Sequence, residues 1–236
     1  MTKRGGALDV KKGLACVFAA AGTVLLVLAT LVACVEGVAF RREFYQKEYD
    51  KLDSAAYVGV DRETLDEATN TLLEYLEGKR DSLDLAVEID GERQEYYNDK
   101  EKQHMVDVAV LNQNAVAFMS AAYPIGGALV LAAWLLKRNT RLVVRTCFFS
   151  IIGTLVAFGV LAAWAGVDFT SFWINFHHVF FSNDLWVLDP ATDRMIRMFE
   201  QTLFFDMVTQ ILLWFIGIIV AAVVVTGIWG KRCKSR

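Results

Sequence analysis

The sequence contains three histidines, His104, His177 and His178. Imidazole titrates near neutrality and is the commonest proton shuttle. Two histidines from distant parts of a chain could flank one reacting group, one as base and the other as oxyanion stabiliser or acid. The plainer use is a wet anchor at a membrane surface, and composition leaves both uses open. His104 and Asp107 are three residues apart, so on a helix they share a face. Asp107 would then orient the imidazole and hold its tautomer, or simply mark the water edge of a span. Beyond His177, the run from Asn183 to Asp193 concentrates acids and turn residues. Asn183, Asp184, Trp186, Asp189 and Asp193 are its candidate supporting residues. The acids could orient histidines or cap turns, and Asp189-Pro190 is a tight-turn signal. Metal binding is disfavoured, because H-E-x-x-H and other recognised ligand spacings are absent. G-x-S-x-G and phosphate-loop strings are absent as well.

The elements that must hold these residues are visible in the distribution of charge. Of 236 residues, 55% are hydrophobic and 22% charged, and the two kinds are segregated along the chain. Leu14–Val35 has 22 residues without a charge, Val108–Leu136 has 29, Thr146–Val167 has 22 and Met207–Gly230 has 24. A helix rises ~1.5 Å per residue and a hydrocarbon core is ~30 Å thick, so ~20 apolar residues cross it. All four runs are long enough, which excludes a soluble protein. Net charge is −3, which disfavours a broad basic face for nucleic acid. The expected fold is an all-α membrane protein with four transmembrane helices. It forms a single integral membrane domain over 1–236, with spans near 14–35, 108–136, 146–167 and 207–230.

Charge also sets the expected orientation. Met1–Gly13, Lys137–Arg145 and Lys231–Arg236 together hold 12 basic residues and one acid, Asp9. The connections 36–107 and 168–206 hold the other 12 basic and 26 acidic residues. The positive-inside rule places both termini and the short middle loop in the cytoplasm. The two acidic connections then form a small, mostly helical extracytoplasmic cap. Leu31-Val32-Ala33-Cys34 has the form of a lipoprotein cleavage box, but the run around it is long for a signal peptide, so a retained first span is preferred. Cys16, Cys34, Cys147 and Cys233 offer no outer disulfide pair.

Within the first connection, Arg42–Leu52 reads as helix continuing out of the membrane. Asp61 reads as a helix cap, with Leu65, Ala68, Leu72, Leu73 and Leu76 at helical spacing and Gly78 as the stop. Leu83–Ile89 reads as a short extended stretch ending in an Asp90-Gly91 turn. Glu92–Asp107 reads as polar helix running into the second span. The second connection is dense in aromatics, namely Phe169, Phe172, Trp173, Phe176, Phe180, Phe181 and Trp186, which favours a place in the membrane interface. Its histidines and His104 then share the outer membrane surface.

Two strings go further. One is Glu101-Lys102-Gln103-His104-Met105-Val106-Asp107-Val108. The other starts Phe176-His177-His178-Val179-Phe180-Phe181-Ser182-Asn183-Asp184-Leu185-Trp186 and runs through Asp189, Asp193 and Met195-Ile196-Arg197-Met198-Phe199 to Phe204-Phe205. With four spans and Leu73-Glu74-Tyr75-Leu76 in a long first connection, they resemble the bacterial lipoprotein intramolecular transacylases, the Lit family, over nearly the whole chain. The resemblance implies acyl transfer from the sn-2 ester of an S-diacylglyceryl group to the N-terminal cysteine amine of a lipoprotein, giving the lyso form. It implies no cofactor, and as partners diacylglyceryl-modified lipoproteins and membrane phospholipid in the bacterial cell membrane, with the active face extracytoplasmic. By motif position, His177 and His104 are the implied catalytic pair. His178 fills a variable position and is not carried over. Two departures stand out. No Tyr precedes Tyr45, where the family uses an early tyrosine, and Glu200-Gln201-Thr202 stands where a proline is usual. The alternatives are a non-enzymatic envelope protein that binds lipids or lipoproteins, or a related acyl-ester hydrolase or acyltransferase. An enzyme needs His104 and His177 within roughly 10 Å, since proton transfer requires hydrogen-bond reach or one bridging water.

Overall fold

The charge-free runs fold as helices. A computed structural model of the chain describes residues 3–232, with side chains from 10 to 228. In chain order the elements are α1 (Lys3–Ala39), α2 (Arg42–Leu52), α3 (Ser54–Val58), α4 (Arg62–Leu76), β1 (Ala86–Ile89), β2 (Glu92–Glu95), α5 (Asp99–Lys137), α6 (Thr140–Val167), α7 (Phe169–Phe180), α8 (Arg194–Met198) and α9 (Gln201–Arg232). Four stretches are long and apolar enough to cross a membrane: Val10–Ala39, Asp99–Lys137, Thr140–Val167 and Gln201–Ile228. Asp99, Lys100, Glu101, Lys102 and Asp107 precede the apolar run of α5, so its span begins beyond His104. Most of the two basic terminal segments, and Cys233, lie outside the described side chains.

The chain packs as two compact units. The first comprises Met1–Cys34, Ala117–Val167 and Ile211–Arg236. Its helices leave Val156, Val160 and Leu213 more than 60% exposed, the pattern of a surface solvated by lipid rather than water. Its interior is built from small residues. Ala15, Ala19, Ala133 and Val143 are buried against Phe18, Val130, Trp134, Leu142 and Cys147. Ala15, Ala19 and Gly22 share a face of α1, and at Gly22 the backbones of α1 and α5 nearly touch. A Cβ built on Gly22 would lie 2.6 Å from the Gly126 carbonyl oxygen, and one on Gly126 would lie 2.8 Å from that of Gly22. Dispersion and close backbone approach drive helix association in lipid, so this contact has no room for a side chain. Gly22→Val is expected to separate the two helices and cost about 2–3 kcal/mol, as overpacking does, read as a lower unfolding temperature in detergent.

The second unit comprises Val35–Val116 and Asp168–Gln210. Asp61 caps α4 by accepting from the Thr64 N–H at 2.7 Å, a bond that contributes ~1 kcal/mol. Leu65, Ala68, Leu72, Leu73 and Leu76 are buried along one face of α4. Gly78 follows its end with φ +71°, the left-handed conformation that glycine adopts without strain. Tyr49, Tyr96 and Tyr97 complete the core. Tyr97 donates to the Ala68 carbonyl at 2.8 Å, and Tyr49 shares a hydrogen bond of 2.8 Å with Thr69.

Two expectations need correction. Arg42–Leu52 is not a continuation of the first helix, because Arg41 takes extended geometry (φ −92°, ψ 107°) and α2 starts afresh. Glu92–Asp107 is not one helix either. Asp90 and Gly91 both have positive φ, a two-residue turn, and Glu92–Glu95 returns as β2 antiparallel to β1 with Ile89 opposite Glu92. α5 then begins at Asp99.

Candidate active site

His104 lies near the start of α5 and His177 near the end of α7, both within the second unit. They are 5% and 6% exposed, and their ring centroids are 6.1 Å apart. That spacing suits an imidazole pair with a reacting group between. Aromatic rings wall the pair. Trp186 stacks on His177 at 4.7 Å and 29°, and Trp173 meets the same imidazole edge-on at 4.8 Å. Phe181 contacts His104 at 5.2 Å and His177 at 5.6 Å, and Phe176 contacts His177 at 5.6 Å. Phe204 extends the wall by packing on Trp173 at 4.4 Å.

The backbone fixes the tautomer of His177. Its Nδ1 is 2.7 Å from the Trp173 carbonyl oxygen. A carbonyl only accepts, so Nδ1 carries the hydrogen and Nε2 of the neutral ring holds the lone pair. Burial pushes the His177 pKa down. The Trp173 hydrogen bond partly opposes this, and the neighbouring His178 adds to it. His104 is pushed down to about 4, first by burial and then by His177, against a smaller opposing pull from Asp107. Both rings are therefore neutral at pH 7, the state in which one can take a proton. Nδ1 of His104 is buried without a hydrogen-bond partner.

The other sequence candidates divide. Asp107 does not bond His104, as the helix spacing suggested. It accepts instead from Asn183 Nδ2 at 2.8 Å, which fastens the segment after α7 to α5. Trp186 joins the histidines directly. Asp184 is exposed, and Asp189 serves its own turn by accepting from the Ala191 N–H at 2.9 Å. Asp193 is buried and structural. It accepts from Asn98 Nδ2 at 2.8 Å, from the Thr192 hydroxyl at 2.9 Å and from the Asp189 N–H at 2.7 Å. His178 is exposed, with its edge against Trp186. The Tyr45 hydroxyl donates to the Ala39 carbonyl at 2.6 Å.

Sequence reasoning passed over Glu101. It is 0% exposed. One carboxylate oxygen accepts from the Asn98 N–H at 2.7 Å while Asn98 Oδ1 accepts from the Glu101 N–H at 2.9 Å, a reciprocal cap on α5. The other accepts from the Met195 N–H at 2.6 Å, at the start of α8. Burial raises the pKa of this carboxyl, and the two N–H donors oppose the shift. Glu101 sits about one turn before His104, so the carboxylate ties the helix carrying one histidine to the connection carrying the other. The spacing Asn98-x-x-Glu101 was the available signal.

Comparison with known proteins places the fold and the family. The solved structure of the membrane integral lipoprotein intramolecular transacylase Lit from Bacillus cereus is similar, with a TM-score of 0.77 and 19% identity over 95% of this chain and 99% of that one. Two structures of the same protein with one histidine replaced are similar as well. The alanine variant gives a TM-score of 0.75 at 19% identity, over 98% and 100% of the two chains. The arginine variant gives 0.76 at 18%, over 99% of each. At these identities the likeness is one of fold. No curated protein sequence matches the chain. The sequence model of the family described as lipoprotein intramolecular transacylase Lit matches residues 20–205, a stretch that includes both histidines and the second connection through Phe205. The chain belongs to the lipoprotein intramolecular transacylase family, Lit, whose members are acyl-transferring membrane enzymes.

Proposed function

We propose that this protein, in the outer leaflet of a bacterial cell membrane, moves the sn-2 acyl chain of a lipoprotein's S-diacylglyceryl group onto the amine of its N-terminal cysteine. His177 acts as general base through Nε2 and His104 as its partner across the reacting carbonyl. The observation that carries this reading is the pairing of two buried imidazoles 6.1 Å apart inside an aromatic wall. The charge asymmetry of the connections supports an extracytoplasmic site, with both termini in the cytoplasm.

The chemistry needs nothing beyond the substrate. The amine attacks the ester carbonyl, a C–N bond forms, and the proton released by nitrogen passes to His177. The C–O bond to the glyceryl group then breaks, and the departing alkoxide takes that proton. An ester has become an amide and a hydroxyl, with atoms balanced. Attack within one molecule removes much of the entropic barrier, since effective molarities of well-oriented intramolecular reactions reach ~10⁵–10⁸ M. Proton transfer by a positioned imidazole adds ~10²–10⁴-fold. Neutral imidazoles and a dry wall suit both needs, because water in the site would compete with the amine for the ester.

Because the transfer is an isomerisation, its test is specific. The purified protein in lipid vesicles is given a synthetic peptide with an S-dipalmitoylglyceryl cysteine and a free amine. The expected product has unchanged mass, and fragmentation finds one palmitoyl group on the amine. Loss of one chain as free fatty acid would make the protein a hydrolase. Unchanged peptide would leave a binding protein and overturn the reading.

A further inference from the structure

We propose that Trp186 is a catalytic residue whose indole N–H donates to the ester carbonyl oxygen and stabilises the negative charge that develops there. The proposal rests on the transacylase reading above and adds a group to it.

The first observation is an unmet donor. Trp186 Nε1 is buried with no hydrogen-bond partner. Indole N–H can only donate, and a buried donor left unmatched costs about 1–3 kcal/mol. Packing does not explain its presence, because phenylalanine would supply an aromatic face without that cost. Buried polar atoms in native proteins nearly always find a partner, so an exception beside a reacting group points to a partner that arrives with the substrate.

Position is the second observation. The indole lies 4.7 Å from the His177 ring, nearly parallel to it. In the tetrahedral intermediate the attacking nitrogen and the oxyanion are substituents of one carbon. Their two partners must therefore lie within a few ångströms of one another, which two rings stacked at 4.7 Å allow. The surrounding rings of Trp173, Phe176 and Phe181 lower the local dielectric, which strengthens a hydrogen bond to developing charge.

Third, the donor is held in place. Trp186 lies between α7 and α8 in a segment without helix or strand, yet both flanks are fastened to α5. Asn183 donates to Asp107, and the Val187 carbonyl accepts from Lys100. A donor fixed before the reaction needs no reorganisation when charge develops.

During the step the carbonyl π pair moves to oxygen as the C–N bond forms, and returns as the C–O bond breaks. The indole keeps its hydrogen throughout. Removing one such donor lowers kcat on the order of 10²-fold. Trp186→Phe is therefore expected to lose about that much in kcat with KM within about twofold, in the vesicle assay with the dipalmitoylglyceryl peptide. Incorporating 3-benzothienylalanine at position 186 keeps the bicyclic shape and replaces N–H by sulfur, so it should show the same loss with thermal stability at or above wild type, since the unmatched donor is gone. A kcat within about threefold of wild type for this isostere would overturn the proposal, as would a loss confined to KM. If wild type itself does not transfer the chain, the transacylase reading fails and this proposal fails with it.

Discussion

Replacing His177 by alanine is expected to reduce acyl transfer by ~10²–10⁴-fold, the range a positioned general base contributes. The site offers a direct reason. The Trp173 carbonyl holds the Nδ1 hydrogen, so Nε2 of His177 is left as the lone pair facing outward from that bond. Alanine also opens a gap among Trp173, Phe181 and Trp186, and part of any loss could then come from packing. His177→Asn separates the two effects. Its amide can still donate to the Trp173 carbonyl but supplies no base, so the variant should unfold near the wild-type temperature and remain as inactive as alanine. The acid limb of the wild-type rate profile adds a second check. Burial and His178 lower the His177 pKa, so the neutral base persists as pH falls below 6.5. The attacking amine titrates near ~7.7–8.0 and sets the first fall in rate on acidification, and protonation of His177 should add a second fall below the ordinary histidine value of ~6.5. A profile that shows the fall of the amine alone, with no further fall below ~6.5, would place the essential base elsewhere.

Glu101→Ala is expected to be the most destabilising single change in the second unit. The carboxylate accepts from two backbone N–H groups, the buried one of Met195 and the half-buried one of Asn98. Deleting it strands both donors at ~1–3 kcal/mol each and leaves a cavity, so a loss of about 3–5 kcal/mol follows. Asn98 is also the partner of Asp193, so the change cuts the tie from α5 to the start of α8 and loosens the residue that holds a second one. Glu101→Gln keeps one acceptor oxygen and should lose roughly half as much. Thermal unfolding in detergent measures both, and limited proteolysis between Ser182 and Asp193 reports whether that segment has been released. Wild-type stability for the alanine variant would contradict the role given to this carboxylate.

How far the sequence carried depended on where each signal resided. The four long helices were legible because membrane crossing demands an unbroken apolar length, a local property of the chain. The limits of α4 were legible for a similar reason, since Asp61 and Gly78 act within one turn of themselves. The hairpin was only half legible. Asp90-Gly91 announced a turn, and Val87 and Ile89 point inward on β1, but Glu92-Arg93-Gln94-Glu95 has no apolar face and takes its strand conformation from pairing with β1. The break at Arg41 carried no Gly or Pro to mark it.

The nearness of the two histidines was legible because the second span carries His104 at one end and the connection with His177 returns to the same end. Glu101 was hidden in the charged run Asp99-Lys100-Glu101-Lys102, where burial of the third member depends on a donor 94 residues away. The use of Asp107 stayed open between two readings for the related reason that helical spacing shows which residues share a face and not which partner arrives from outside. Its carboxylate found Asn183 rather than His104.

The central claim is the reaction itself. The most direct measurement expresses this protein in a bacterial host whose own lipoprotein N-acylating enzyme has been deleted, and reads lipoprotein N-termini by mass spectrometry. The account predicts N-acylated cysteine carrying a monoacylglyceryl group, and its absence with His104→Ala or His177→Ala at equal membrane abundance. Diacylglyceryl cysteine with a free amine, in cells whose membranes contain the wild-type protein, would contradict it.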